Sequence, residues 1–125
     1  MTTFGVILNP TSGKGKGAAL GAQFVSELQS LGVTVVDLTG RDWAEAEGNG
    51  RKAIAAGMLD ALAVAGGDGM MHLGVNICAG TGVPLALMPC GTGNDAALAL
   101  GVPIDDAKAA AKLAVESLAN PRVVD

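Results

Sequence analysis

The chain has 125 residues, the length of a single domain, and half of them are apolar, which excludes an intrinsically disordered protein. Its net charge of −4 argues against a protein that binds the phosphate backbone of nucleic acids, because such proteins carry a basic surface. One tryptophan and two phenylalanines are too few for the aromatic platforms of single-strand binders. The 19 glycines are about twice the average usage, so we expect several sites where the backbone turns tightly.

Strands and helices alternate along the chain, with glycine-rich turns between them. We predict strands over 4–8, 33–38, 62–65 and 85–88, and a further strand that begins at 123–124. We predict helices over 16–31, 43–58, 70–79, 96–100 and 105–118.

The predicted strands are continuous apolar runs, which are typical of parallel strands covered on both faces. The first helix would bury one apolar face, which carries Leu20, Phe24, Leu28 and Leu31. The repeated order of strand and helix predicts an α/β fold: an open, doubly wound parallel sheet with helices on both faces.

A loop that contains glycine follows each predicted strand, over 9–17, 39–40, 66–69 and 91–95. Parallel strands bring their carboxyl ends to one edge of the sheet, where ligands bind in such folds. A glycine loop that leads into a helix exposes backbone N–H groups and the positive end of the helix dipole. We therefore predict an anion site at this edge, with phosphate as its natural ligand. The alternative is that the glycines only close tight turns.

Polar side chains in these loops are the candidates for chemistry. The segment from Asn9 to Gly13 offers an amide and two hydroxyls, although it lacks the spacing of a P-loop. Asp68 is flanked by glycines, so its carboxylate would hold a hard cation such as Mg²⁺ or accept a hydroxyl proton; the alternative is an exposed turn residue. Thr39, at the end of the second strand, is a candidate for hydrogen bonding.

The segment 91–96 also fits the dinucleotide-binding pattern G-x-G-x-x-A. That pattern expects an acidic residue about 20 positions further on, at the end of a second strand. Glu116 lies within a predicted helix instead, so a Rossmann-type dinucleotide binder is the weaker alternative.

The remaining chemistry-bearing residues favour structural roles. Cys78 and Cys90 lie in apolar stretches and are expected to be buried and reduced. His72 is expected to be a partly buried helix residue, and Trp43 a packing residue. The chain starts without the pattern of a signal peptide and has no apolar run near the ~18 residues of a membrane span, so we expect a soluble intracellular domain.

Three of the loops, taken together, resemble a known family. The similarity lies, in this order and spacing, in Asn9-Pro10-Thr11-Ser12-Gly13, Gly66-Gly67-Asp68-Gly69 and Pro89-Cys90-Gly91-Thr92-Gly93-Asn94-Asp95. These segments resemble the N-terminal catalytic domain of the diacylglycerol kinase and sphingosine kinase family. The resemblance implies transfer of the γ-phosphoryl group of ATP to a lipid hydroxyl, of a diacylglycerol or sphingosine kind, with ATP and Mg²⁺ as cofactors.

The resemblance also implies the site residues. Asp68 would be the catalytic carboxylate and would bind the metal. The residues that would bind the nucleotide are Asn9, Pro10, Thr11, Ser12, Gly13, Thr39, Gly66, Gly67, Asp68, Gly69, Met70, Met71, His72, Leu73, Gly91, Thr92, Gly93, Asn94 and Asp95. Many members have threonine at the position of Met70, and many bacterial members have glutamate at that of Leu73. These two departures favour the alternative of a nucleotide-binding module without catalytic activity.

Members of the family carry a second, mostly β domain that supplies the lipid site. We therefore expect residues 1–125 to be the catalytic, ATP-binding domain of a longer protein, inactive on lipids by itself. The resemblance implies a cytoplasmic protein that can contact the inner face of the membrane peripherally. A strand cut off at 123–125 would leave an exposed edge that favours a homodimer.

Overall fold

The computed structural model describes residues 2–8, 16–66, 68–89 and 107–119. Its strands are β1 (Thr3–Leu8), β2 (Thr34–Asp37), β3 (Ala61–Gly66) and β4 (Leu85–Pro89). Its helices are α1 (Lys16–Ser30), α2 (Trp43–Ala55), α3 (Asp68–Cys78) and α4 (Ala107–Ala119). Four of the five predicted strands and four of the five predicted helices are confirmed. The helix predicted over 96–100 and the strand predicted at 123–124 lie outside the described residues.

The boundaries follow local chemistry. Helix α2 begins after Asp42, whose carboxylate accepts a hydrogen bond of 2.9 Å from the Glu45 N–H and so caps the helix. It ends at Ala55, before the predicted 58, and Gly57 follows with a φ of +71°. Helix α3 begins at Asp68, two residues earlier than predicted.

The sheet is parallel throughout and has the strand order β2-β1-β3-β4. In the centre Phe4 of β1 pairs with Ala61 of β3, and on its other side Phe4 pairs with Val35 of β2. The chain therefore moves from β1 outward to β2, and then returns across the sheet to β3. The strand order reverses between β1 and β3, which is where such sheets open a crevice for a ligand.

Helices cover both faces, as predicted. On one face, Phe4 and Val6 of β1 pack with Phe24 and Leu28 of α1 and with the alanines of α4. On the other, Ile7 and Val64 pack against α2 and α3. Helix α1, which follows β1, and helix α3, which follows β3, thus lie on opposite faces of the sheet. The chain therefore leaves these two neighbouring strands in opposite directions.

The sequence predicted that Leu31, Cys78 and Cys90 are buried. Leu31 is 47% exposed and does not continue the buried face of α1, because the helix has ended before it. Cys78 is buried and free, and burial raises the pKa of its thiol to about 11. Cys90 lies outside the described residues. Within the described ranges, every helix is too short or too polar to cross a bilayer.

Candidate functional site

The candidate site lies at the carboxyl ends of β1 and β3, where the strand order reverses. The structure describes the backbone of eight predicted site residues, namely Thr39, Gly66, Asp68, Gly69, Met70, Met71, His72 and Leu73. The others lie outside the described residues, namely Asn9, Pro10, Thr11, Ser12, Gly13, Gly67, Gly91, Thr92, Gly93, Asn94 and Asp95.

The connection from β3 to α3 is very short. Gly66 is the last residue of β3 and Asp68 the first of α3, so only Gly67 lies between them. The φ of Gly66 is +152°, a conformation that residues with a side chain rarely adopt. The glycine at this position is therefore required by the backbone, which turns from strand to helix within two residues.

The start of α3 is directed toward the crevice edge. The first N–H groups of any α-helix have no acceptor within the helix, and in α3 these begin at Asp68. The dipole of this 11-residue helix gives them a partial positive charge. This arrangement suits the phosphate groups predicted from the sequence. The side chain of Asp68 lies outside the described part, but the backbone places that residue at the end of β3, beside β1.

The next side chains of α3 divide between core and solvent. Met70, Met71 and Leu73 are buried, and Met70 and Leu73 belong to the core between the sheet and helices α2 and α3. These side chains therefore pack, and only the backbone at these positions is available to a ligand. His72 is exposed, so the expectation of a partly buried histidine is wrong.

Thr39 links the ends of β1 and β2. Its hydroxyl oxygen accepts a hydrogen bond of 2.9 Å from the Leu8 N–H, and its own N–H donates to Asp37 at 2.9 Å. Strand β2 ends at Asp37, so the Thr39 hydroxyl takes the place of a further strand carbonyl. It thereby fixes Leu8, the residue from which the chain enters the predicted loop at 9–13. Among the described residues, none accepts the proton of this hydroxyl, which can therefore be donated to a ligand.

Asn49 completes this link and was not predicted. Its side-chain amide donates a hydrogen bond of 3.1 Å to the Leu38 carbonyl from the half-buried side of α2. The signal in the sequence was an asparagine between two glycines, one turn from the buried Ala46 and Ala53. A polar side chain on a buried helix face needs a partner, and here the partner is the backbone that leads to Thr39.

Trp43, predicted as a packing residue, packs with one ring edge and is 36% exposed. Its Cη2 and Cζ3 atoms lie 3.2 and 3.9 Å from where a Cβ on Gly69 would be. The first residue of α2 therefore lies beside the second residue of α3.

Two further predictions bear on ligand chemistry. Glu116 lies within α4, as predicted, where it is exposed, and it does not follow a strand as the dinucleotide pattern would require. Among the side chains that the structure describes, no three carboxylate, histidine or cysteine groups gather as a metal site would need. The Asp68 carboxylate is not one of those side chains.

Comparisons with known proteins show the family to which the chain belongs. The family model of the diacylglycerol kinase catalytic domain matches residues 3–124. Diacylglycerol kinases of two strains of Mycobacterium tuberculosis, CDC 1551 / Oshkosh and ATCC 25618 / H37Rv, are each 38% identical over 110 residues. The match covers 88% of this chain and 35% of each relative, so the chain spans about a third of their length.

One solved structure is similar to this chain in fold alone. The crystal structure of a periplasmic sugar-binding protein from Pseudomonas fluorescens superposes with a TM-score of 0.53 at 19% identity. The superposition covers 76% of this chain and 30% of that one. It supports the open α/β architecture.

Proposed function

Since the chain belongs to the diacylglycerol kinase catalytic domain family, we propose that it is the ATP-binding part of a lipid kinase. The reaction is the transfer of the γ-phosphoryl group of ATP to a lipid hydroxyl, of a diacylglycerol or sphingosine kind. Phosphoryl transfer depends mainly on positioning the phosphates and on neutralising their charge. A fold that presents backbone N–H groups at a crevice is suited to the first of these tasks.

The observation that carries the proposal is the turn from β3 into α3. Gly66, with its φ of +152°, ends a central strand at the point where the strand order reverses. Two residues later, the N–H groups of α3 that have no acceptor within the helix begin. A phosphate at this place would meet aligned donors and the positive end of a helix of 11 residues.

The residues of the chain take distinct roles in this proposal. The first N–H groups of α3 hold the phosphates, and the proton of the Thr39 hydroxyl is available to a phosphate oxygen. Asp68 would hold Mg²⁺ or accept the proton of the attacking hydroxyl. Mg²⁺, when bound, supplies charge neutralisation to the phosphates. The family resemblance assigns the segments 9–13 and 91–95 to the same nucleotide site.

The lipid site is proposed to lie outside residues 1–125, in a second domain of a longer protein. The chain corresponds to about a third of the related kinases, and the apolar side chains of its described part are largely committed to the two core layers. We therefore expect nucleotide binding without lipid phosphorylation from this chain alone. Peripheral membrane contact, a cytoplasmic location and a homodimer stay predictions of the sequence.

Titration of the chain with ATP and Mg²⁺ in a calorimeter, with NADH as competitor, tests the proposal. We expect weak binding of ATP, near a Kd of ~1 mM, because the segment corresponds to one wall of a two-domain cleft. NADH should not displace ATP. Absence of ATP binding, or tighter binding of NADH, would contradict the proposal.

A second candidate is a nucleotide-binding module without turnover. Met70 and Leu73 favour it, since both are apolar and buried at positions where many relatives carry polar side chains. A longer version of the protein that includes the downstream domain separates the two candidates. Transfer of radiolabelled phosphate from ATP to mixed lipids would support the kinase, and ATP binding without transfer would support the module.

A further inference from the structure

Helices α2 and α3 pack side by side, and a glycine forms part of each of two contacts along their seam. At the first contact Gly69 of α3 faces Trp43 of α2. At the second, Gly50 of α2 faces Ile77 of α3, where a Cβ on Gly50 would lie 3.2 Å from Ile77 Cδ1. The two contacts are about two helical turns apart on each helix, so the helices run in the same direction and begin at the same sheet edge.

Trp43 is held firmly by the start of its own helix. It is the first residue of α2 and follows Asp42, which has an extended backbone and accepts the Glu45 N–H. A capped helix start is fixed relative to the rest of the helix, and α2 is anchored on the sheet by its buried Ala46 and Ala53. The indole is therefore placed by α2 and not by α3.

The first turn of α3 is confined from two sides. Toward the core, Met70 and Leu73 are 1% and 7% exposed. Toward solvent, Gly69 is exposed, and the edge of the Trp43 ring lies against it. Because Gly69 has no side chain, the ring occupies the space that a side chain at this position would take. A Cβ there would lie 3.2 Å from Trp43 Cη2, closer than nine in ten such contacts in proteins.

We propose that Trp43 is a positioning residue of the nucleotide site: its indole fixes the first turn of α3 and thereby the direction of the N–H groups that hold the ATP phosphates. This rests on the proposed function. The first turn is the part of a helix whose N–H groups have no helical acceptor, so its orientation depends on such outside contacts. A turn fixed before the ligand arrives loses less freedom on binding, which strengthens binding.

The test compares four versions of this chain: unaltered, Trp43→Ala, Trp43→Phe and Val75→Ala. Val75 is the matched control, because it lies on α3 and is 38% exposed, against 36% for Trp43, but sits beyond the first turn. Circular dichroism selects a temperature at which each variant is folded. Calorimetric titration with ATP and Mg²⁺ then gives the Kd of each one.

We expect Trp43→Ala to weaken ATP binding about tenfold and Val75→Ala to change it less than about twofold. Trp43→Phe keeps an aromatic ring and should weaken ATP binding less than Trp43→Ala does. If the alanine variant does not fold, the phenylalanine variant is compared with the unaltered chain by itself. A second measurement uses fluorescence, since Trp43 is the single tryptophan of the chain. Its emission should shift when ATP and Mg²⁺ bind, which a role in stability alone does not require.

The outcomes separate the two proposals. Unchanged affinity in the folded Trp43 variants, or an emission spectrum that saturating ATP leaves unaltered, would overturn the role of Trp43 and leave the proposed function standing. Absence of ATP binding by the unaltered chain would overturn the proposed function and this inference together.

Discussion

The N–H of Leu8 donates its hydrogen bond to the hydroxyl oxygen of Thr39, one residue before the chain enters the loop at 9–13. Strand β2 ends at Asp37, so the Thr39 side chain supplies the acceptor that a longer β2 would offer to Leu8. The start of the loop after β1 is therefore fixed by a residue of the loop after β2.

Replacement of Thr39 by valine should destabilise the fold. Valine keeps the shape of threonine but removes the acceptor, so the half-buried Leu8 N–H loses its partner. We expect a loss of about 1 kcal/mol in the free energy of unfolding, measured by urea denaturation. Thr39→Ser keeps the hydroxyl and is the control. Equal stability of the two variants would show that the bond contributes nothing.

Asn49→Leu should also lower stability, by roughly 0.5–1.5 kcal/mol, because the Leu38 carbonyl then loses a donor that half-buried surroundings cannot easily replace. Asn76→Leu is the matched control, since Asn76 is an exposed asparagine on α3. Denaturation of both variants decides the question. If both variants lose a comparable free energy of unfolding, the effect comes from placing leucine in a helix and not from the Asn49 hydrogen bond.

Gly40→Ala should be destabilising, whereas Gly48→Ala should be stabilising. A Cβ on Gly40 would lie 2.7 Å from Glu45 Cβ and 2.8 Å from the Ala46 nitrogen, which belong to a helix start that cannot move freely. A Cβ on Gly48 meets nothing within 4 Å. We expect a loss of ~1–3 kcal/mol at the first position and a gain of ~0.5–1 kcal/mol at the second, read from melting curves. The same sign at both positions would contradict the contact seen at Gly40.

Asp68→Asn should remove the dependence of ATP binding on Mg²⁺ while leaving the fold intact. The amide has nearly the size of the carboxylate but lacks its charge, which a hard cation requires. Titrations with ATP at increasing Mg²⁺ measure the effect. Glu116→Gln removes the same charge from an exposed site on α4 and should leave Mg²⁺ dependence unchanged. If the Asp68→Asn chain responds to Mg²⁺ like the unaltered chain, Asp68 is a turn residue only.

The stability of the fold should decrease as the pH rises from 9 to 11, in part because of Cys78. Burial raises the pKa of its thiol from 9.0 to about 11, so in this range the unfolded chain releases a proton that the folded chain retains. The unfolded state then binds fewer protons, and stability falls with pH. Denaturation at several pH values should show a shallower decline for Cys78→Ala. Parallel curves for the two chains would rule out this contribution.

The sheet could be predicted well from the sequence, because each strand is a short, mainly apolar run with glycine or proline at its end or within three residues after it. The predicted class of ligand rests on the same loops, since their position at the strand ends depends only on strand direction, and it stays a prediction. The expectations for Leu31 and His72 were wrong, because helical periodicity alone does not tell where a helix ends or which side faces its neighbour.

The contacts around the site depend on which elements are neighbours in space. Strand order places α2 beside α3, and no local sequence pattern predicts this order. Trp43 was therefore predicted to pack without a known partner, and Asn49 was overlooked. Both contacts became visible only when residues more than ten positions apart were brought together.

The pairing of β1 with β3 has a consequence for how the chain folds. Thr3 donates its N–H to the carboxylate of Asp60 across 57 residues, and the whole β1–β3 ladder spans a similar separation. Closing so long a loop costs entropy before any contact compensates for it, which slows folding relative to folds built from local contacts. On a ribosome, the central pair of strands forms only after β3 has emerged. A growing chain therefore lacks the edge between β1 and β3, where the candidate site lies, until both strands have emerged and paired. Binding of ATP there, as proposed, would stabilise only the paired form, by mass action.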